Sequence, residues 1–354
     1  MQKVLAVSLW ILVMFGIASA QSPTLALGTV GRVTPLSTCP SGYATGAKCF
    51  QVTVSCPNTA DVKVNYGYVN PSGTPRGTIV EFSGGGGTAP YGSETTTSRY
   101  NPTYLRAGYQ IVQTSWATDW EDTGISGAKD LKAAACRPAT LLNYLHQKLY
   151  VGNGGMCAQG FSAGSGALGY GMAWYGMSDY LDKVELLSGP VFSDVEKGCA
   201  VPDFPAVTVC ANSRFGCVGS PWIDAPQYVQ AGVQLVESWT GHACQQNKTS
   251  SNTDAIWKAM SIVDGTTGPN FQYPKTAIAA WLCSNGLNNS AAEGDLFYQN
   301  LTRPSQVSAF SETRIDGCSG AEGVEAGTTP SKENGFAAIT ADMTDPVVGC
   351  LKRH

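Results

Sequence analysis

The pentad Gly160-Phe161-Ser162-Ala163-Gly164 combines the residue types that serine-based nucleophilic catalysis needs at a tight turn. A sharp bend between a strand and a helix can present a serine hydroxyl to a substrate, and small flanking residues keep such a bend free of clashes. The chain has 41 glycines in 354 residues, so a pentad of this kind also arises by chance. It becomes evidence only if the neighbouring sequence supplies the strand and the helix.

The sequence on both sides of Ser162 predicts that context. The run from Met156 to Gly160 is typical of a short buried strand, and small residues follow Ser162 at helical spacing. The serine would then lie at the positive end of a helix, where the N–H of Ala163 can stabilise an oxyanion. The run Gly84–Gly87 follows an earlier β-rich segment and can supply a second donor, although a flexible surface turn is the alternative interpretation.

Strand-like and helix-like segments alternate along most of the chain. Strands are predicted within 61–69, 77–88, 108–116, 180–191, 273–283 and 307–315, and helices over 131–150 and 334–343. In the first helix, Pro138 indicates a kink or a fresh start. Residues 24–60 are expected to form irregular strands at one edge, held by disulfides. The alternation predicts the α/β class, with a mostly parallel sheet and helices on both faces.

The amino terminus is typical of a secretory signal peptide. Lys3 precedes an apolar run, and Ala18-Ser19-Ala20 is a small-residue cleavage site, so we expect residues 1–20 to be removed. Twelve cysteines in an exported chain indicate up to six disulfides. The protein is therefore predicted to be secreted, either extracellular or periplasmic, with no later membrane span.

Composition and missing motifs exclude several classes of partner. Only 14% of residues are charged, the net charge is −4 and there is no basic run, so no nucleic-acid partner is expected. No Cys-x-x-Cys motif occurs and the three histidines are scattered, which argues against a metal site. Phosphate-loop and dinucleotide fingerprints are also missing, and we expect no cofactor.

A long segment separates two of the predicted strands. Residues 192–272 contain four cysteines and three tryptophans, far more chain than a simple strand-helix-strand connection needs. We interpret this segment as a disulfide-rich cap inserted into a single domain that spans residues 21–354.

Taken together, "FSGGGGT" at 82–88, "GFSAGSGALGYG" at 160–171 and "GFAAITADM" at 335–343 resemble the α/β-hydrolase superfamily. Within that superfamily, the chain resembles the secreted, disulfide-rich esterase-like members most. The resemblance covers most of the mature chain. The resemblance implies that Ser162 is the nucleophile. It also implies an oxyanion hole formed by Ala163 with Gly85 or Gly86, and acyl-transfer chemistry on esters.

The sequence departs from this family where the other catalytic residues are expected. The family places an acid after the strand ending near Cys283, where this chain has asparagines first and Glu293 and Asp295 further on. It places a histidine after the last strand, where this chain has Glu322 and no histidine. A serine hydroxyl is a weak nucleophile without an adjacent base, so the base must come from elsewhere.

Only three histidines are present, and they are not equally suited to serve as the general base. His146 lies within a predicted helix and is expected to be at the surface or half-buried. His354 is the last residue, where chain ends fray. His242 lies in the predicted cap beside Cys244 and is the best histidine candidate, and Glu322 with a pKa raised by burial is the alternative base.

These observations favour a secreted serine hydrolase, and the sequence leaves its activity to be tested. The predicted substrate is a small-molecule or polymeric carboxylic ester. The alternative is a catalytically degraded binding or structural protein on the same scaffold, which the missing histidine favours. A peptidase or acyltransferase on this scaffold is a third option, because a fold does not fix a substrate. Trp116 and Trp120 either line an acyl pocket or pack in the core.

Overall fold

The computed structural model describes residues 24–92, 99–125, 130–193, 258–263, 269–283, 307–318 and 333–354, together with 294, 297–301, 324 and 328. Ten strands in these residues form one sheet. They are β1 (Thr29–Val30), β2 (Thr34–Pro35), β3 (Lys48–Ser55), β4 (Val62–Val69), β5 (Gly77–Phe82), β6 (Gln110–Trp116), β7 (Gly155–Phe161), β8 (Lys183–Leu187), β9 (Tyr273–Cys283) and β10 (Val307–Ile315). Their order is β1-β3-β4-β6-β5-β7-β8-β9-β10, and β2 pairs with β3.

The sheet is parallel from β6 to β10 and antiparallel at the other end. All pairings among β6, β5, β7, β8, β9 and β10 are parallel. The four pairings that involve β1 to β4 are antiparallel. Strands β5 and β8 are buried along their whole length, as expected for parallel strands covered on both faces. The carboxyl ends of these parallel strands therefore meet at one edge of the sheet.

Helices cover both faces of the sheet. They are α1 (Tyr100–Arg106), α2 (Leu131–Ala134), α3 (Cys136–Leu149), α4 (Ala163–Tyr175) and α5 (Gly335–Thr344). Residues of α3 and α4 belong to one apolar cluster, and residues of α1 and α5 belong to a second cluster. The predicted helix over 131–150 is two helices, with Pro138 in the first turn of α3, where a missing N–H costs no hydrogen bond.

Four disulfides lie in the described part of the chain, namely Cys39–Cys49, Cys56–Cys136, Cys157–Cys350 and Cys283–Cys318. The first two hold the antiparallel end of the sheet, as predicted for residues 24–60. The third joins β7 to the carboxyl-terminal segment across 193 residues. The other four cysteines lie outside the described residues.

Two predicted regions fall largely or wholly outside the described residues. The predicted signal peptide at 1–20 is one of them, and most of the predicted cap at 192–272 is the other. In the described part of the chain, no helix has the length and hydropathy that crossing a bilayer requires.

Candidate functional site

Ser162 occupies a strained turn between β7 and α4. Its backbone has φ 51° and ψ −118°, outside the regions that residues with a side chain normally adopt. The turn is held on both sides. The N–H of Ser162 donates to the carbonyl oxygen of Leu187 (2.9 Å). The carbonyl oxygen of Ser162 accepts from the N–H of Gly166 (3.1 Å) and from Oγ of Ser165 (2.6 Å).

The two glycines of the pentad are required by backbone packing. A Cβ on Gly160 would lie 2.5 Å from the carbonyl oxygen of Gly164. A Cβ on Gly164 would overlap the carbonyl oxygen of Phe82, at the end of the neighbouring strand β5. The pentad thus lets α4 begin directly against β5 and β7, which sets the position of Ser162 at the carboxyl edge of the sheet.

The glycine run after β5 approaches the same turn. Gly84 lies next to Ser162, since a Cβ on Gly84 would be 3.1 Å from the Cβ of the serine. Gly85 follows with φ 58°, a left-handed conformation that favours glycine. Gly86 packs under the side chain of Asp119, which a Cβ at this position would overlap, and its carbonyl oxygen accepts from the N–H of Trp120 (3.0 Å). The run therefore brings Gly84 against the serine.

A cavity of about 310 Å³ opens between the glycine run and Ser162. Residues 83–85 and 88–92 form one wall, and Phe161 and Ser162 form the other. Ala163 is the first residue of α4, so its N–H has no acceptor within that helix. Neither Gly86 nor Ala163 is among the residues described as lining this cavity. Of the two glycines of the run that the sequence proposed as oxyanion donors, Gly85 lines the cavity together with Gly84, and Gly86 does not.

Trp116 and Trp120, for which the sequence left pocket lining and core packing open, pack behind the glycine run. Trp116 and Trp120 are both buried and belong to the apolar cluster on the α4 side. A Cβ on Gly87 would lie 2.7 Å from Cδ1 of Trp116. Among the described residues, the cavity lining includes neither tryptophan. They support the glycine run through packing.

His354 lies at the opposite edge of the sheet and is held in place. Its N–H donates to Oδ1 of Asp182 (3.1 Å), and its Nε2 is 3.1 Å from the carbonyl oxygen of Leu181. The expectation that this terminal residue frays is wrong, because the Asp182 carboxylate fixes it. The N–H of Asp182 in turn donates to the carbonyl oxygen of Met156 (2.8 Å). Met156 lies six residues before Ser162 on β7, which corresponds to about 20 Å along an extended strand.

His146 shares that distant edge. It is half-buried on α3, as expected, and its ring stacks on Tyr150 (5.1 Å between centroids) and Tyr180 (4.8 Å). Burial lowers the pKa of His146, and the nearby Asp182 opposes this effect. Neither His146 nor His354 is brought near Ser162. The other predicted partners of the serine, His242, Glu322 and Asp295, lie outside the described residues.

A buried carboxyl that sequence reasoning missed lies behind the glycine run. Glu121 is 6% exposed and follows Trp120, whose N–H bonds to Gly86. Burial, with a smaller contribution from the Asp119 carboxylate, raises the pKa of Glu121 to about 8. Nothing local in the sequence distinguishes this glutamate from an exposed one, since its burial depends on packing against distant segments.

A row of polar side chains crosses the sheet just before the strands reach the cavity. Register pairing aligns Gln113 on β6, Glu81 on β5, Gln159 on β7 and Glu185 on β8. All four are buried. Nε2 of Gln159 donates to Oε2 of Glu185 (2.5 Å) and to the hydroxyl of Tyr104 (2.7 Å). Burial raises the pKa of Glu81 and of Glu185 well above the usual range.

Several solved esterase structures resemble this chain at low sequence identity. Brefeldin A esterase, described as a bacterial homologue of human hormone-sensitive lipase, has a TM-score of 0.51 and 14% identity, covering 87% of this chain and 77% of that chain. An esterase of Pyrobaculum calidifontis has a TM-score of 0.49 and 15% identity, covering 91% and 87%. Acetyl xylan esterase 1 of a Thermoanaerobacterium species has a TM-score of 0.47 and 11% identity, covering 82% and 81%.

The sequence itself matches no family model, and it matches no curated protein. The likeness to brefeldin A esterase, together with the strand order and the helices on both faces, shows that the chain has the α/β-hydrolase fold. The predicted fold class is thereby confirmed. A shared fold does not by itself assign an activity, which must be argued from the site.

Proposed function

We propose that this protein is an exported serine hydrolase that cleaves carboxylic esters through an acyl-enzyme on Ser162. One observation carries the proposal, namely the strained backbone of Ser162 beside a glycine-lined cavity. A strained conformation costs about 1–3 kcal/mol and persists where the surrounding structure enforces it, most often at functional sites. Among the described residues that line the cavity, none has a charged side chain, which suits a neutral ester.

The proposed reaction has two steps, acylation of Ser162 and hydrolysis of the acyl-enzyme. Oγ of Ser162 forms a bond to the ester carbonyl carbon while its proton passes to a base, and the carbonyl oxygen becomes an oxyanion. Backbone N–H groups of Ala163 and Gly85 stabilise that oxyanion. Gly86, the other donor predicted from the sequence, packs under the side chain of Asp119. The tetrahedral species then expels the alcohol, which takes the proton. Water repeats the sequence on the acyl-enzyme and releases the acid.

The base and the acid are proposed from the sequence. His242 and Glu322 are the two candidate bases, and Asp295 is the candidate acid. The distant positions of His146 and His354 support this choice, because a general base must lie within hydrogen-bond reach of the serine proton. Replacing His242 and Glu322 separately identifies the base, and unchanged turnover in both variants would contradict the assignment.

Export is proposed from the disulfides and the predicted signal peptide. Four disulfides in the described residues suit an oxidising compartment. The expected mature protein begins at Gln21. Amino-terminal sequencing of the protein recovered outside the cytoplasm checks this expectation, and an intact residue 1–20 segment there would overturn it.

A fluorophosphonate probe tests the serine assignment. The reagent is expected to attach to Ser162, and mass spectrometry locates the adduct. Ser162→Ala should lose both the adduct and the turnover of short nitrophenyl esters. Ser308→Ala changes an exposed serine on β10 and serves as the matched control. No adduct and no turnover in the wild-type protein would leave the scaffold as a binding or structural protein.

A further inference from the structure

One buried glutamine connects the cavity wall to two other parts of the molecule. Gln113 is 1% exposed and lies on β6 opposite Gly67 of β4. Its Nε2 donates to the carbonyl oxygen of Tyr91, a residue of the cavity wall. Its Oε1 accepts from the N–H of Ala44 (2.7 Å). A single side chain thus bonds the wall segment 88–92 to the loop between Cys39 and Cys49.

The loop that receives this bond is fixed independently of Gln113. The disulfide Cys39–Cys49 closes it over 10 residues. The hydroxyl of Tyr43 donates to the carbonyl oxygen of Asn65 (3.0 Å) and lies 2.8 Å from Oγ of Ser115. The loop is consequently held to β4 and β6 by its own bonds. Gln113 can therefore anchor the cavity wall to a fixed part of the molecule.

The other side of Gln113 is anchored to the polar row. The hydrogen-bond network assigns the amide of Asn101 so that its oxygen accepts from Nε2 of Gln113 (3.0 Å). The nitrogen of Asn101 then donates to both carboxylate oxygens of Glu81 (2.7 and 3.0 Å). This chain of bonds fixes the orientation of the Gln113 amide, because a rotated amide would place donor against donor.

We propose that Gln113 is a positioning residue, which sets the wall of the substrate cavity by tying the Tyr91 carbonyl to the disulfide-closed loop and to Asn101. This proposal rests on the proposed function, since it makes the cavity the substrate site. Gln113 does not touch the reacting atoms. Its loss therefore weakens substrate binding and leaves the chemical step at Ser162 intact.

Gln113→Leu removes the amide, and Gln110→Leu is the matched control. Gln110 is a buried glutamine at the amino end of the same strand. Its side chain bonds to Asn70 (2.8 Å) and to Thr78 (3.1 Å), away from the cavity. For a nitrophenyl ester, Gln113→Leu should raise KM about tenfold with kcat within about twofold, the size expected from one hydrogen bond of about 1.4 kcal/mol. Gln110→Leu should leave both constants near the wild-type values.

Hydrogen exchange supplies a readout that does not need turnover. Peptides covering residues 84–92 should exchange about tenfold faster in Gln113→Leu than in the wild type. The exchange rates of the same peptides should be unchanged in Gln110→Leu. If Gln113→Leu does not fold, the double variant Cys39→Ser/Cys49→Ser opens the supporting loop and should give the same local increase.

The outcomes separate the two proposals. Unchanged exchange over 84–92 would overturn the role of Gln113 whatever the activity. Faster exchange with an unchanged KM in an active enzyme would also overturn it, because the wall would not be part of the substrate site. Faster local exchange in a protein whose wild type takes no probe and turns over no ester would support the wall contact and reject the ester-hydrolase function.

Discussion

Replacing Glu121 with glutamine is expected to stabilise the protein at pH 8 and to leave its stability unchanged at pH 4.5 and below. The side chain is 6% exposed, and its Oε1 has no hydrogen-bond partner among the described residues. Burial, assisted by the Asp119 carboxylate, raises the pKa of Glu121 from the ordinary 4.5 to about 8. An ionised carboxylate at this position is therefore a cost that the amide avoids.

The direction of the pH dependence follows from the number of protons that the folded and the unfolded chain bind. Below pH 4.5 the carboxyl is protonated in the folded and the unfolded chain, and it contributes no pH dependence. Between pH 4.5 and pH 8 the unfolded chain loses a proton that the folded protein keeps, so stability falls as the pH rises. Above pH 8 both states are ionised and the loss is complete. Between pH 4.5 and pH 8 the free energy of unfolding therefore falls by roughly 5 kcal/mol, at about 1.4 kcal/mol for each pH unit.

Urea unfolding of the wild type and Glu121→Gln across this pH range measures the effect with the disulfides intact. The difference in unfolding free energy should grow from near zero at pH 4.5 towards roughly 5 kcal/mol at pH 8. Glu333→Gln makes the same chemical change at an exposed position and is the matched control. A difference that stays constant across the window would refute the assignment of a protonated, buried Glu121.

Two further predictions concern the backbone of the pentad at 160–164 and the ion pair between buried Lys183 and partly exposed Asp342. Gly164→Ala places a methyl group against the carbonyl oxygen of Phe82, so we expect the free energy of unfolding to fall by about 1–3 kcal/mol or more. In the control Gly31→Ala, the new Cβ would lie 3.5 Å from its nearest non-neighbouring atom, the carbonyl oxygen of Thr53. Calorimetry of both variants should show that Gly31→Ala changes the free energy of unfolding by no more than about 0.5 kcal/mol. Lys183→Met removes a buried cation that bonds to Asp342 (2.7 Å), and denaturant unfolding should show a loss of about 3–5 kcal/mol. Adding Asp342→Asn should recover part of that loss, and a double variant as unstable as the single one would contradict a role based on charge.

Much of the secondary structure was accessible from the sequence, because hydrophobic periodicity is a local property. The predicted strands at 273–283 and 307–315 coincide with β9 and β10, and the predicted helix at 334–343 matches α5 within a residue. The alternation of strands and helices also gave the α/β class. It did not give the antiparallel end of the sheet, because strand direction depends on how distant segments pair.

The pentad around Ser162 and the glycine run were likewise visible as local patterns of small residues. The sequence predicted that bulky residues would clash beside Ser162. The structure agrees, because a Cβ on Gly160 or Gly164 would lie too close to backbone atoms. The choice among the four glycines of the run was not visible. It depends on Asp119 and Trp120, which pack against Gly86, whereas Gly84 and Gly85 line the cavity with Ser162.

Sequence alone determined the serine turn, the disulfide-rich character and the shortage of histidines. Tertiary structure alone decided that two of those histidines lie at the far edge of the sheet and that Glu81, Glu121 and Gln113 are buried near the cavity. The physical reason is that the pKa of a carboxyl and the partners of an amide depend on burial by segments far apart in the chain. A residue's neighbours in sequence carry the periodicity of its element, and they do not carry the identity of the groups packed against it.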